Sequence, residues 1–224
     1  MHPGKGRLVS ADRWARLHFL VAPQCDRCAL PQDLDLGEDT LCAACLARPP
    51  AWDRGRAAVA YDEGSRDLVL ALKHGGQRDR LDVLATWMHQ AGRDLLDQAD
   101  WLVPVPLHPR RLFLRGFNQA AWLSQAVGRK SGCEVMVDGL MRTRATPSQG
   151  GLSGRARRRN VSGAFALSPR GVQALAGTRI ILVDDVLTTG ATLTGCTRAL
   201  LRGGAAQVDV LVLARVVRAR DVTI

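Results

Sequence analysis

Short apolar runs alternate with segments of helical periodicity along most of this chain. After the proline pair Pro49–Pro50, runs rich in valine, isoleucine and leucine predict strands. Segments in which apolar residues recur every three or four positions predict helices. Strands that alternate with helices are typical of a mostly parallel sheet covered by helices on both faces. The pattern therefore predicts an α/β fold for the part of the chain that follows the prolines.

The predicted elements follow one another closely. Strands are predicted at 57–61, from 101 to the prolines at 104 and 106, and at 134–140, 161–167, 179–183 and 207–217. Helices are predicted at 65–74, 81–96, 118–128 and 191–201. A short amphipathic helix is also expected near the start of the chain, with Trp14, Leu17 and Leu20 near one face.

The residues before the first cysteine hold too short an apolar stretch for a secretion signal, because Asp12, Arg13 and Arg16 interrupt it. No run approaches the roughly 18 apolar residues that a transmembrane segment needs. We therefore expect a cytoplasmic protein. Residues 1–24 are expected to form a helix or tail that docks on the rest, with a membrane-surface or partner helix as the alternative.

Four of the six cysteines have the spacing C-x2-C-x13-C-x2-C, at Cys25, Cys28, Cys42 and Cys45. Two such pairs can bring four thiolates to one tetrahedral ion, and an ion with four protein ligands is structural. A segment this short buries too little apolar surface to fold alone, so metal binding would supply its folding energy. We predict a structural zinc ribbon at residues 25–50, with redox CxxC motifs or a disulfide pair as alternatives.

The string IILVDDVLTTGATL, residues 180–193, combines the features of a ligand site. An apolar strand ends in Asp184 and Asp185, a turn rich in threonine and glycine follows, and a helix comes next. Ligands of open α/β sheets bind at such strand ends. Backbone N–H groups, hydroxyls and a helix N-terminus suit a phosphate, and Gly190 lets the backbone approach it closely. The carboxylates suit the adjacent hydroxyls of a ribose or a Mg²⁺ ion.

Two common nucleotide motifs are missing from the sequence. It has no GxxxxGK(S/T) of nucleotide-hydrolysing P-loops and no GxGxxG after a strand. A phosphate cradle beside a carboxylate pair instead indicates a ribose 5-phosphate group. A helix N-cap with two exposed acids is the plain alternative, but it explains only one threonine and one aspartate of the string.

Several strings together resemble a known family. ILVDDVLTTGAT resembles the phosphoribosyl pyrophosphate (PRPP) motif of type I phosphoribosyltransferases. Together with LHFLVAPQCDRC, LKHGG, VPVPLHPRRLFLRGFNQA and SQGGLSGRARRRNVSGAF, in family order from residue 17 to 193, it resembles the ComF family of competence-associated proteins. The resemblance implies a type I phosphoribosyltransferase-like domain at residues 51–224, after the zinc ribbon. It also implies a cytoplasmic role in natural transformation, downstream of DNA uptake, with other competence proteins as candidate partners.

The resemblance also implies roles for individual residues. Asp184 and Asp185 would bind the ribose hydroxyls of PRPP, which is used with Mg²⁺. The residues that would hold its 5-phosphate are Thr188, Thr189, Gly190, Ala191 and Thr192. Such enzymes keep a pyrophosphate-binding loop at the strand end that precedes Arg110, Arg111 and Arg115, and these arginines could neutralise a diphosphate.

The distribution of charge adds a second hypothesis. The formal net charge is +10, and residues 139–183 contain eight arginines and no acidic residue. Residues 101–133 also lack acids. A zinc knuckle beside basic, acid-free segments suits a single-stranded DNA backbone. The densest cluster is Arg155, Arg157, Arg158 and Arg159, for which a solvated loop, a flap over the diphosphate and a DNA contact all remain open.

Transfer from PRPP would displace pyrophosphate from the anomeric carbon, with negative charge growing on the leaving group. The sequence shows no Ser/His/Asp or Cys/His set that points to a side-chain nucleophile, so no catalytic residue is assigned and turnover is left open. We expect a competence protein that binds PRPP or a related phosphoribosyl ligand and single-stranded DNA. A phosphoribosyltransferase of nucleobase salvage is the alternative, and it needs a base pocket that the sequence does not locate.

Overall fold

A five-stranded parallel sheet forms the centre of this computed structural model, which describes residues 11–34, 37, 39–73, 80–144 and 163–217. The strands are β1 (Gly55–Ala60), β2 (Trp101–Pro104), β3 (Glu134–Val135), β6 (Arg179–Leu187) and β7 (Gln207–Arg215). Their order is β1-β7-β6-β2-β3, and all neighbours are parallel. A separate antiparallel hairpin pairs β4 (Leu140–Arg142) with β5 (Phe165–Leu167).

Helices cover both faces of the sheet. They are α1 (Ala11–Trp14), α2 (Ala43–Ala47), α3 (Glu63–Lys73), α4 (Leu81–Ala91), α5 (Arg93–Leu96), α6 (Pro109–Arg115), α7 (Gln119–Ser131), α8 (Pro169–Ala174) and α9 (Ala191–Arg202). Helices α4 and α7 pack together on one face, whereas α9 and the hairpin cover the other. Among the residues that the structure describes, no helix is long and apolar enough to cross a membrane.

The first part of strand β6 is apolar at successive positions because the strand is buried on both faces. Leu182 packs with Leu193 and Leu200 of α9 in one core. Its neighbours Ile181 and Val183 belong to the other core, which contains α4 and α7. Because successive side chains of a strand point to opposite faces, a strand buried on both faces needs an uninterrupted apolar run.

The chain order opens a crevice beside β2. From β2 the chain continues outward to β3, then returns to β6 and β7 on the other side of β2. The connections that follow β2 and β6 therefore diverge from adjacent carboxyl ends, which is where ligands of open α/β sheets bind. The backbone N–H of Val105 donates to the carbonyl of Val183 at 2.9 Å and holds the two strand ends together.

The start of the described chain docks on the sheet, but its helix is shorter than predicted. Helix α1 ends at Trp14, so Leu17 and Leu20 do not share a helical face with it; both are buried after the helix. The Trp14 ring lies 5.1 Å from the ring of Phe19 and 5.6 Å from that of Trp87. Residues 18–20 then run antiparallel to β1 through backbone hydrogen bonds. Extended pairing with β1 has replaced the expected helix.

Four other predicted elements differ from the structure. The helix predicted at 81–96 breaks at Gly92, where a Cβ would lie 2.7 Å from Leu211, so a tight approach to β7 ends α4 there. The strand predicted at 134–140 turns at Val137–Gly139 and divides between the sheet and the hairpin. Strand β5 begins only at Phe165, and residues 161–162 of that prediction lie outside the described residues. The strand predicted at 179–183 continues to Leu187, so Asp184 and Asp185 lie within β6 and not after it. Helices α2, α6 and α8 were not predicted.

Candidate functional site

The four spaced cysteines meet at one point. Their sulfur atoms all lie within 4.8 Å of one another, and the Sγ atoms of Cys28 and Cys42 are 3.8 Å apart. Four sulfurs around one ion at Zn–S distances of about 2.3 Å are separated by roughly 3.8 Å in a tetrahedron. All six cysteines are free thiols here, so the disulfide alternative does not describe this structure. The cysteine cluster therefore has the geometry to hold a tetrahedral metal ion.

The thiols of the cysteine cluster interact with one another through hydrogen bonds. Hydrogen bonds from the thiols of Cys28 and Cys45 lower the pKa of Cys25, although burial acts in the opposite direction. A thiolate is the form that binds metal. The donor set is therefore suited to a soft or borderline ion such as zinc.

A cleft of about 460 Å³ lies at the crevice between β2 and β6. The loop after β2 lines it on one side and the end of β6 on the other. The predicted site residues that line this cleft are Asp184, Asp185, Thr188, Gly190, Ala191, Thr192, Arg111 and Arg115. Thr189 and Arg110 are exposed and are not among its lining residues. The structure thus gathers most of the predicted residues in one place.

Asp185 is held in the floor of the cleft. It is only 6% exposed, and its Oδ2 accepts a hydrogen bond from Nε2 of Gln119 at 3.3 Å. The Oε1 of the same glutamine accepts one from Nη1 of Arg115 at 2.8 Å. Gln119 therefore connects the carboxylate to an arginine of the cleft and fixes the direction of both.

Asp184 is half-buried and turns its carboxylate back toward the chain. Its Oδ1 accepts a hydrogen bond from the backbone N–H of Asp185 at 2.9 Å. Asp185, by contrast, accepts from the side chain of Gln119. Two adjacent carboxylates in different environments can therefore serve different groups of one ligand.

The turn after β6 ends in a helix N-terminus at the cleft. Gly190 is the N-cap of α9 and has a φ of 70°, a conformation that glycine adopts without steric cost. The first N–H groups of α9 follow directly, and the dipole of the helix favours a negative charge in front of them. This is the arrangement that binds phosphate groups at other helix N-termini.

Positive charge lines the cleft from two elements. Arg111 and Arg115 come from α6, and Arg142, which is only 7% exposed, comes from β4. Burial, and then the charge of Arg111, lower the pKa of Arg142, whereas the charge of Asp184 raises it. The guanidinium of Arg142 also lies 5.3 Å from the centre of the Phe165 ring. A ligand that carries several negative charges would relieve the repulsion between these arginines.

Sequence analysis missed Asn118, Gln119 and Arg142. Asn118 caps α7 by accepting from the N–H of Ala120, and its Nδ2 donates to the carbonyl of Val105. The string RGFNQ contained a signal for Asn118 and Gln119, because it follows the strand end at the crevice. Nothing local marked Arg142, which reaches the cleft only through the hairpin.

The remaining cysteines are poor nucleophiles. Burial, with the charges of Asp100 and Glu134, raises the pKa of Cys133 to about 11. Burial also raises the pKa of Cys196 well above its ordinary value. Both thiols stay protonated near neutral pH. The predicted positions Arg155, Arg157, Arg158 and Arg159 lie outside the described residues, so their role stays a prediction.

Comparison with known proteins gives the cleft a context. The phosphoribosyl transferase domain family matches residues 127–222. The chain is 34% identical over 209 residues to DNA utilization protein YhgH of Escherichia coli K12, covering 91% of this chain and 88% of that protein. It is 34% identical over 179 residues to Competence protein F of Haemophilus influenzae, covering 78% of each.

Among solved structures, an allosteric regulatory enzyme of purine biosynthesis matches with 19% identity and a TM-score of 0.40. The match covers 59% of this chain and 25% of that one. The domain match and the parallel sheet confirm the predicted type I phosphoribosyltransferase-like fold.

Proposed function

Because this chain belongs to the ComF family of competence and DNA-utilisation proteins, we propose that its cleft binds PRPP with Mg²⁺ and that it acts on DNA. One observation carries the proposal. The buried carboxylate of Asp185 and the helix N-terminus at Gly190 face one cleft from the same strand–turn–helix segment. A ribose 5-phosphate needs these two groups, a diol acceptor and a phosphate cradle.

Each group of the cleft has a task in this proposal. Asp184 and Asp185 orient the ribose, and the turn at Gly190 holds the 5-phosphate. Bound Mg²⁺ would neutralise diphosphate oxygens, for which carboxylate oxygens in this cleft are suitable ligands. Arg111, Arg115 and Arg142 face the negative charge of the diphosphate. We also assign a structural zinc ion to the cysteine cluster.

Replacement of both cleft aspartates tests the PRPP site. We expect the Asp184→Asn/Asp185→Asn variant to bind PRPP–Mg²⁺ about a hundredfold more weakly in calorimetric titration, because each carboxylate loses charged hydrogen bonds. Asp67→Asn/Asp97→Asn is the matched control, since both residues are exposed and neither lines the cleft. Absence of binding by the folded wild type, or equal affinity in both double variants, would refute the site.

A surface beside the cleft supports a second function, single-stranded DNA binding. In α6 the side chains of Phe113 and Leu114 are 89% and 84% exposed. Arg110, Arg111 and Arg115 flank them, and residues 101–133 contain no acid. Exposed aromatic rings stack on bases while arginines contact phosphates, which together bind single strands without sequence preference. We call residues 110–115 the α6 surface.

Single substitutions separate stacking from charge on the α6 surface. We expect Phe113→Ala to weaken binding to labelled oligothymidine about tenfold at every salt concentration, since stacking is largely independent of salt. Arg110→Ala should lower the slope of log affinity against log salt by about 0.7. Fluorescence anisotropy between low and moderate NaCl measures both, with Val172→Ala and Arg202→Ala as exposed controls. If the controls weaken binding as much, the α6 surface is not the contact.

Pyrophosphate release distinguishes the salvage alternative. A nucleobase-salvage enzyme releases pyrophosphate from PRPP with one particular base, whereas a PRPP-binding DNA protein does not need one. The names of the relatives, DNA utilization protein and Competence protein F, favour a PRPP-binding DNA protein. Rapid pyrophosphate release with a single purine or pyrimidine would instead favour a salvage enzyme.

A further inference from the structure

Trp52 joins the segment that holds the four cysteines (the cysteine segment) to residues 188–190 after β6, which the proposed function assigns to the 5-phosphate (the phosphate-binding turn). Its side chain is buried, at 3% exposure. The indole ring packs against Gly190 so closely that a Cβ at that glycine would lie 2.6 Å from Cη2 of the ring. At its other edge the indole Nε1 donates to the carbonyl of Arg27 at 2.6 Å. One rigid side chain therefore contacts both segments.

Arg27 lies between the first two metal-ligand candidates, Cys25 and Cys28. Its guanidinium donates a hydrogen bond to the carbonyl of Trp52 at 3.0 Å, so each of the two residues donates one hydrogen bond to the other. The backbone of Gly55 also closes on Arg27, since a Cβ at Gly55 would lie 2.6 Å from the Arg27 carbonyl oxygen. The position of this carbonyl is therefore set by the conformation of the first CxxC segment.

A second contact runs parallel to the first. Arg215, at the end of β7, donates through Nε to the carbonyl of Cys28 at 2.9 Å. Across the sheet Arg215 pairs with Leu187, and the N–H of Val216 donates to the carbonyl of Leu187. Leu187 is three residues before Gly190. The cysteine segment therefore supports both ends of the phosphate-binding turn.

We propose that Trp52 is a positioning residue that couples metal retention in the cysteine cluster to ligand binding in the cleft. The inference rests on the proposed PRPP and zinc sites. The cysteine segment depends on its metal for folding, and loss of the metal releases the Arg27 carbonyl that Trp52 needs. Without that anchor the indole no longer fixes Gly190. Coupling between two sites is reciprocal, so a ligand held at the turn must also slow the departure of the metal.

Trp52→Phe tests the coupling because it keeps an aromatic ring and removes the N–H donor. We expect normal zinc content and circular dichroism, but about tenfold faster amide hydrogen exchange in residues 187–192 and about tenfold weaker PRPP–Mg²⁺ binding. Trp101→Phe is the matched control, because Trp101 is half-buried at the start of β2 and does not line the cleft. It should leave both quantities unchanged.

The wild type supplies a second arm that needs no variant. Saturating PRPP–Mg²⁺ should slow zinc transfer to a chromogenic chelator several-fold in the wild type and have no such effect in Trp52→Phe. Chelator-stripped wild type should show the faster exchange in residues 187–192.

The outcomes separate this inference from the proposed function. If PRPP binds the wild type but leaves zinc release unchanged, the coupling is overturned while the cleft stands. If PRPP does not bind at all, the proposed function fails, and hydrogen exchange alone then decides whether Trp52 couples the cysteine segment to the turn. Faster exchange in stripped protein and in Trp52→Phe sustains the coupling, whereas unchanged exchange in both overturns it.

Discussion

Gly190 is under two constraints that most of the glycines described by the structure do not combine. Its φ of 70° disfavours any side chain, and the Trp52 ring fills the space that a Cβ would need. Gly132 has a similar φ of 78° at the end of α7, but nothing lies within 4 Å of its Cβ position. The pair therefore separates backbone strain from steric exclusion.

Substitution of the two glycines by alanine should give different results. Gly132→Ala should cost about 1 kcal/mol of unfolding free energy, the usual penalty for a left-handed alanine. Gly190→Ala should cost about 2–4 kcal/mol, because the Trp52 ring must also move, and should abolish PRPP binding. Denaturant unfolding with calorimetry measures both effects. Equal costs at the two positions would mean that the Trp52 contact carries no energy.

At the scale of elements, patterns confined to one segment could be predicted, and features assembled from distant segments could not. Strand β6, the turn after it and α9 are contiguous, so the sequence contains all of their signals. Helix α6 was not predicted because its apolar residues are exposed to solvent and do not form an amphipathic pattern. Gln119 and Arg142 reach the cleft only through the packing of α7 and the hairpin.

The boundary predicted after residue 50 stays a prediction. Contacts cross it at several points: Trp52 bonds with Arg27, the N–H of Gly55 donates to the carbonyl of Asp26, and Arg56 forms a salt bridge with Asp26 at 2.6 Å. A proline pair in the sequence indicates a boundary, but it does not indicate how many contacts form between the residues before it and those after it.

Loss of one metal ligand should destabilise the segment that holds the four cysteines, but it should not weaken helix α2 within that segment. Cys42 is the N-cap of α2 and makes no side-chain capping bond. Serine is a favourable N-cap, so Cys42→Ser should preserve or strengthen the helix itself. We nevertheless expect zinc content to fall from about one per chain toward zero, and Tm to fall by about 5 °C or more.

Elemental analysis and thermal unfolding measure the two effects. Cys133→Ser, outside the cluster, is the control. If Cys42→Ser keeps its zinc, the cysteine cluster is not a four-thiolate site.

At the scale of the whole molecule, the crevice places two candidate functions side by side. Residues 101–133 supply one side of the cleft and the α6 surface, and they bear no acidic residue. A nucleic acid on α6 would therefore lie beside a bound phosphoribosyl group. The cytoplasmic location and the partner proteins stay predictions.

The position of β1 has a consequence for synthesis on the ribosome. One edge of β1 pairs with residues 18–20 and the other with β7, and the backbone N–H of Arg54 donates a hydrogen bond to Asp209, 155 positions later. The edge of β1 that faces β7 must therefore stay unpaired until the end of β7 has been made. Closure of such distant contacts is slow, and exposed strands aggregate in the interval. A nascent chain of this protein has its greatest need for a chaperone in the period before β7 emerges.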